Sequence, residues 1–181
     1  MADLKILGIC GALRAASTNR LLLEEVKRAF GAADYTDADL RLPLFDEDVE
    51  ISEGIPAKVQ MLADQVKVAD GIVICTPEYN KMIPGVLKNA LDWVSRTKGG
   101  PWADKPVAIL SAADGRGGGD RSQFSLRLAL APFRVRIVPG PEVLIASSRQ
   151  AFDAEGRLID ERSKKAVRDL MEVFKREIAR T

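Results

Sequence analysis

The chain of 181 residues is expected to fold as a single α/β domain over 1–181, a parallel sheet with helices on both faces. Three observations carry this expectation. Short apolar runs alternate with stretches of helical periodicity from one end to the other. The run GIVIC at 71–75 is almost continuously apolar and β-branched, the pattern of a strand covered on both sides. No repeat, low-complexity tract or long linker interrupts the sequence.

The first run, LKILGIC at 4–10, predicts a buried strand. Leu22, Val26, Ala29 and Phe30 then recur at helical spacing across 19–30, and Gly31 supplies a stop. Residues 35–40 predict a second strand, and RLPLFDEDVE at 41–50 a loop with an acidic end. Val59, Leu62, Ala63 and Val66 share one face of a helix over 55–69. After the strand at 71–75, Pro84 sits in the first turn of a helix lined by Val86, Leu87, Ala90, Leu91 and Val94. PVAILS at 106–111 reads as the fourth strand. A helix over 122–130 follows, with Pro132 beyond its end. Residues 135–138 and 143–146, on either side of Pro-Gly-Pro, make the last strand region. A helix over 163–178 closes the chain on Val167, Leu170, Met171, Phe174 and Ile178. Five strands in a chain of this size suggest a flavodoxin-like three-layer sandwich with strand order 2-1-3-4-5.

Lysine and arginine number 27 against 26 acidic residues. The net charge of +1 gives no bulk attraction to nucleic acid or to an anionic membrane. No apolar run nears the ~20 residues of a membrane helix. MADLKILGIC has no basic stretch ahead of a long apolar one, so it reads as a strand and the expected location is the cytoplasm. Histidine is absent, which removes Ser-His-Asp and Cys-His catalysis and the common histidine zinc sites. Two cysteines cannot build a four-cysteine zinc site, and no metal is expected. Chemistry is left to a bound cofactor or to carboxylates, Arg, Lys and backbone groups.

In such a sheet ligands bind beyond the carboxyl ends of the strands, at the switch point. Three unusual loops fall there: GALRAASTNR at 11–20, TPEYNK at 76–81 and AADGRGGGDR at 112–121. The first opens a helix, whose free N–H groups and dipole favour an anion. Ser17, Thr18 and Asn19 add donors and Arg14 a positive charge, which suits a phosphate; a plain N-cap at Ser17 or Thr18 suits the same residues. In the third loop Gly115, Gly117, Gly118 and Gly119 permit positive φ and close approach to a ligand, or simply a flexible turn. It is neither a Walker loop nor GxGxxG, because Asp120 stands at the third glycine position. Pro77, Glu78, Tyr79 and Asn80 make either a polar turn or a wall for a flat ring.

At these loops the sequence resembles the NAD(P)H-dependent FMN reductase family, which includes chromate and quinone reductases and is related to the azoreductases. The resemblance is carried by CGALRAASTNR at 10–20, PEYNKMIPGVLKNALDWVSR at 77–96 and SAADGRGGGDRSQFSLR at 111–127, and more loosely by PEV at 141–143. It implies that Arg14, Ser17 and Asn19 hold the phosphate of bound FMN. It implies that Pro77, Glu78, Tyr79 and Asn80 frame the isoalloxazine ring, largely through backbone groups, while Ser111, Gly115, Gly118 and Gly119 approach its other side. Cys10 and Ala12 stand where the family carries serines, Met82 stands at another serine, and Phe124 replaces a frequent Tyr. The hydroxyl missing at Ala12 is one phosphate bond of ~1 kcal/mol, so FMN affinity below the family's usual is expected.

The resemblance further implies that NADPH or NADH delivers a hydride to the flavin and that a quinone, flavin, chromate or similar acceptor takes the electrons. No catalytic side chain is assigned, because the cofactor carries the chemistry. Two other classes compete: a flavodoxin-like electron carrier without NAD(P)H oxidation, and a flavin-free module on the same fold. The carrier class usually has a Thr-rich phosphate loop and an acidic surface, and this chain has neither. Family members assemble, so a homodimer or homotetramer is implied. The helices around Trp93 and from Ser122 offer apolar surface for it, and RLPLF a reach toward a neighbour's flavin; a core stripe and a solvated loop fit the same residues. Donor preference and acceptor are not legible. Cys10 and Cys75 end neighbouring strands and are expected as buried, reduced thiols.

Overall fold

The apolar runs become one parallel sheet, the middle layer of an α/β/α sandwich. The computed structural model describes residues 4–180. Its strands are β1 (Lys5–Cys10), β2 (Asp34–Asp37), β3 (Gly71–Thr76), β4 (Pro106–Ala112), β5 (Arg136–Ile137) and β6 (Val143–Ile145). The helices are α1 (Thr18–Phe30), α2 (Glu47–Glu53), α3 (Ala57–Val68), α4 (Gly85–Ser95), α5 (Asp120–Leu130) and α6 (Glu161–Ile178). Strand order is β2-β1-β3-β4-β5, with β6 also on β4.

Both faces of the sheet are buried, as the continuous apolar runs require. Along β3, Val73 and Cys75 point into a core shared with α1 and α6, where Phe174, Leu170 and Val26 pack. Ile72 and Ile74 point into the opposite core, with Leu62, Leu87 and Leu126 from α3, α4 and α5. Each such side chain contributes about 1.5–3 kcal/mol by leaving water. Cys10 and Cys75 are register neighbours on β1 and β3, and both are free, buried thiols. Complete burial pushes the Cys75 thiol well above its usual range, which leaves it a poor nucleophile.

Two expectations change, and the expected break in the last strand region is sharpened. The second strand is Asp34–Asp37 rather than 35–40. It is a polar edge strand, so hydrophobic pattern does not mark its ends. The acidic end of RLPLFDEDVE is not loop, because α2 begins at Glu47. Asp46 caps it by accepting from the Asp48 amide at 2.9 Å, and Glu47, Asp48 and Glu50 sit at the positive end of its dipole. The fifth strand is two pieces in series. β5 pairs Pro106 and Val107, while β6 pairs Leu110 to Ala112 on the same side of β4. Pro139 and Pro141 between them have no N–H to give the ladder.

The RLPLF segment is pinned to its own chain. The Trp93 indole and the Asn89 carboxamide both donate to the Pro43 carbonyl, at 2.8 and 2.9 Å. Phe45 meets Trp93 edge to face at 5.0 Å. Trp93 is therefore wholly buried under this loop and offers no outward contact surface. Among the described residues no helix is long and apolar enough to cross a membrane.

Candidate active site

The carboxyl ends of β1, β3 and β4 bring the three loops together. The Gly11 amide donates to the Cys75 carbonyl at 2.8 Å, joining the first loop to the end of β3. Asn19 joins it to β4. Its carboxamide donates to Ala112 O at 2.8 Å and accepts from Ala112 N at 2.9 Å, in full burial. Asn19 thus ties the start of α1 to the end of β4. Ser17 caps α1, its hydroxyl accepting from the Asn19 amide at 3.2 Å. Cys10 lies just beneath, its thiol 3.5 Å from the Ala12 carbonyl.

What remains in the first loop is a set of unused donors. The amides of Leu13, Arg14, Ala15 and Ala16 have no protein acceptor among the described residues. The exposed Arg14 guanidinium stands beside them. A cleft of about 520 Å³ opens here, lined by Arg14, Ala16, Thr18, Ser148 and Arg149. Thr18 reaches across it, donating to the Ser148 hydroxyl at 3.2 Å. Free amides at a helix start with a cation alongside suit a phosphate. Ser148 and Arg149 were not singled out from sequence, since only the fold brings them to this loop.

The second loop is a hairpin. Tyr79 and Met82 exchange two backbone hydrogen bonds of 3.1 Å. Between them Asn80 and Lys81 have φ of 51° and 66°, the positive values a two-residue hairpin demands. Asn tolerates that conformation better than most residues. The turn lifts the Tyr79 ring to 53% exposure at the rim. Pro77 is buried, and its carbonyl accepts from the Ser122 hydroxyl at 2.8 Å. Glu78 turns away from the rim toward α5, where the Arg121 and Ser122 amides donate to its carboxylate at 3.1 and 3.3 Å. Ile83 N donates to Ser125 Oγ at 3.1 Å.

The third loop is folded down onto the sheet. Ser111 is fully buried, and its hydroxyl donates to the Gly118 carbonyl at 2.7 Å and accepts from Gln123 at 2.9 Å. Its side chain therefore holds the glycine loop. Gly118 and Gly119 have φ of 60° and 94°. A Cβ at Gly119 would lie 2.8 Å from the Ser111 Cβ, and one at Gly118 2.8 Å from the Leu144 carbonyl carbon. Gly115 differs: a Cβ there would meet nothing within 4 Å. The carboxyl edge thus carries open space beside Gly115, free amides at 13–16 and a half-exposed Tyr79.

A second apolar cleft of about 520 Å³ lies toward the other end of the molecule, between α4 and α5, walled by Leu91, Trp102 and Phe133. It lies away from the three loops at the carboxyl ends of β1, β3 and β4, and in an open α/β sheet the carboxyl edge is where ligands bind.

The sequence profile of the NADPH-dependent FMN reductase family matches residues 4–150. The chain belongs to that family. An NAD(P)H-dependent FMN reductase of Pseudomonas aeruginosa is 40% identical over 174 residues, covering 95% of this chain and 94% of its own. A quinone reductase of Escherichia coli K12 is 38% identical over 162 residues, covering 87% and 86%. Among solved structures, the flavoenzyme NAD(P)H:(acceptor) oxidoreductase of Paracoccus denitrificans superposes with a TM-score of 0.87 at 27% identity, covering 97% of each chain. This reductase-family chain is thus an oxidoreductase with the flavodoxin-like fold. The donor set fits the phosphate of a flavin mononucleotide: free amides at 13–16 with the Arg14 guanidinium beside them.

Proposed function

We propose that this single domain binds FMN at the carboxyl edge and catalyses electron transfer from NADPH or NADH to a small acceptor, a quinone being the leading class. The observation that carries the reading is the contrast between the helix starts of α1 and α5. The amides ahead of α1 are free, while those opening α5 are closed by Glu78. Of these two helix starts, the one at α1 is the one left open to an anion.

When bound, the flavin supplies reversible two-electron chemistry that no side chain here can provide. The protein's part is to hold and orient it. Arg14 and the amides of 13–16 take the phosphate, with Ser17 and Asn19 fixing the loop that presents them. Pro77, Tyr79 and Asn80 form one wall of the ring site and Gly115, Gly118 and Gly119 the other, with Ser111 anchoring the glycines. Free loop amides near the ring's polar edge would stabilise negative charge that develops on reduction. Flavin and chromate are further acceptors that an open rim accommodates.

We also infer a cytoplasmic homodimer or homotetramer. Support comes from the exposed apolar residues Met82, Phe124 and Leu128, which follow one another from the hairpin along α5. Light scattering of the purified protein reads the assembly directly.

The functional test is an absorbance spectrum after FMN addition and desalting, followed by anaerobic NADPH or NADH. A retained flavin band bleached by either nucleotide supports the reductase reading. A retained band that neither bleaches points to an electron carrier. Loss of the flavin overturns the reading.

A further inference from the structure

We infer that Glu78 is a positioning residue that caps α5 from another loop, locking the two walls of the proposed ring site into one unit. The inference rests on the FMN reading above for its consequence, but the lock itself is visible in the protein. Glu78 lies 43 residues before the amide it caps. Helix α5 has no cap from its own preceding residue, because Gly119 has no side chain. Its first-turn amides need an acceptor. One carboxylate oxygen of Glu78 accepts from Ser122 at 3.3 Å and shares the Arg121 amide, at 3.1 Å, with Asp120 Oδ1 at 2.8 Å, and it places negative charge at the positive end of the helix.

Two neighbouring bonds show that this is a seam rather than one contact. Ser122 Oγ donates to the Pro77 carbonyl at 2.8 Å, and Ile83 N donates to Ser125 Oγ at 3.1 Å. The bonds run in both directions, three donated by α5 and one accepted by it, so the two loops are tied at both ends of the hairpin. Tyr79 rises from one side and the glycine loop precedes the other. Their spacing is therefore set at Glu78, although its carboxylate points away from the ring space.

Two substitutions separate geometry from charge. Glu78→Gln keeps an acceptor oxygen for the α5 amides. Glu78→Ala removes it. FMN affinity is measured by quenching of flavin fluorescence, and amide exchange at Ser122, whose N–H donates to Glu78, by NMR in the flavin-free protein. The expected result is exchange raised at least tenfold and FMN Kd raised about tenfold in Glu78→Ala, with both within about threefold of wild type in Glu78→Gln. Unchanged exchange in Glu78→Ala overturns the inference. So does a Glu78→Gln protein as impaired as Glu78→Ala, which would make charge rather than capping the cause. Raised exchange with unchanged FMN Kd confines Glu78 to helix stability and overturns the positioning role. If wild type itself binds no FMN, the functional reading fails, and exchange alone still decides whether the lock exists.

Discussion

Gly119 and Gly99 have nearly the same backbone angle, φ of 94° and 90°, at opposite ends of the sheet. Around Gly99, in the turn between α4 and β4, a Cβ would meet nothing within 4 Å. At Gly119 it would strike Ser111. The amino-edge turn needs glycine only for its angle. The carboxyl-edge loop needs it for the angle and for the lack of a side chain, because the loop is pressed onto the end of β4. The same division holds for the charged groups that cap helices across the fold. Lys105, at the amino edge, donates to the Lys67 and Ala69 carbonyls at the end of α3, at 2.7 and 2.6 Å. Glu78, at the carboxyl edge, caps the start of α5. One cap closes a helix in the scaffold, and the other joins two loops of a site.

Substitutions can break this contrast. Gly119→Ala combines left-handed strain with overpacking against Ser111, so it should cost about 3 kcal/mol or more. Gly99→Ala should cost only about 1 kcal/mol. Urea unfolding of both variants checks the ratio, and equal losses would remove the distinction. Asn19→Ala comes next. It strands a buried N–H and C=O of Ala112 and should cost about 2–3 kcal/mol, read by the same method.

Gly115→Ala sharpens the comparison from the other side. Its φ is not in the left-handed range and its surroundings are open, so stability should stay within about 0.5 kcal/mol. FMN affinity should fall at least severalfold, because the new methyl enters space assigned to the ligand. Calorimetry of the flavin-free protein and a fluorescence titration separate the two effects.

The smallest expected effect is a pH slope at Lys105. Burial lowers its pKa from 10.5, opposed by the nearby Asp70 carboxylate. The native state gives up this proton before the unfolded chain does. Between the lowered value and 10.5 the unfolded state binds more protons, so Lys105 makes stability rise with pH there. Lys105→Met should flatten that rise. Lys27 and Tyr35 also titrate in the alkaline range, so the wild-type-minus-variant difference in urea midpoint isolates the effect.

The sequence made the scaffold legible where burial is two-sided. The runs that became β1, β3 and β4 are apolar enough to mark themselves, and helices α1, α3, α4 and α6 show a buried stripe. Helix α2 was invisible because none of its residues is buried; capping and charge hold it instead. The polar edge strand β2 and the proline-broken β5 and β6 were blurred for related reasons. At the site, loop positions could be read but side-chain allegiances could not. Asn19, Ser111 and Glu78 sit in the expected loops, yet each bonds to backbone brought near only by the fold. Ser122 and Gln123 complete the bonds of Glu78 and Ser111, Ser148 takes the Thr18 hydroxyl, and none of the three carries a local signal of doing so.

The most direct test is hydrogen–deuterium exchange of the whole chain with and without FMN. The account predicts protection concentrated at 11–19, 76–82 and 113–121. Protection centred instead on the cleft of Leu91, Trp102 and Phe133, or no protection at saturating FMN, would contradict it.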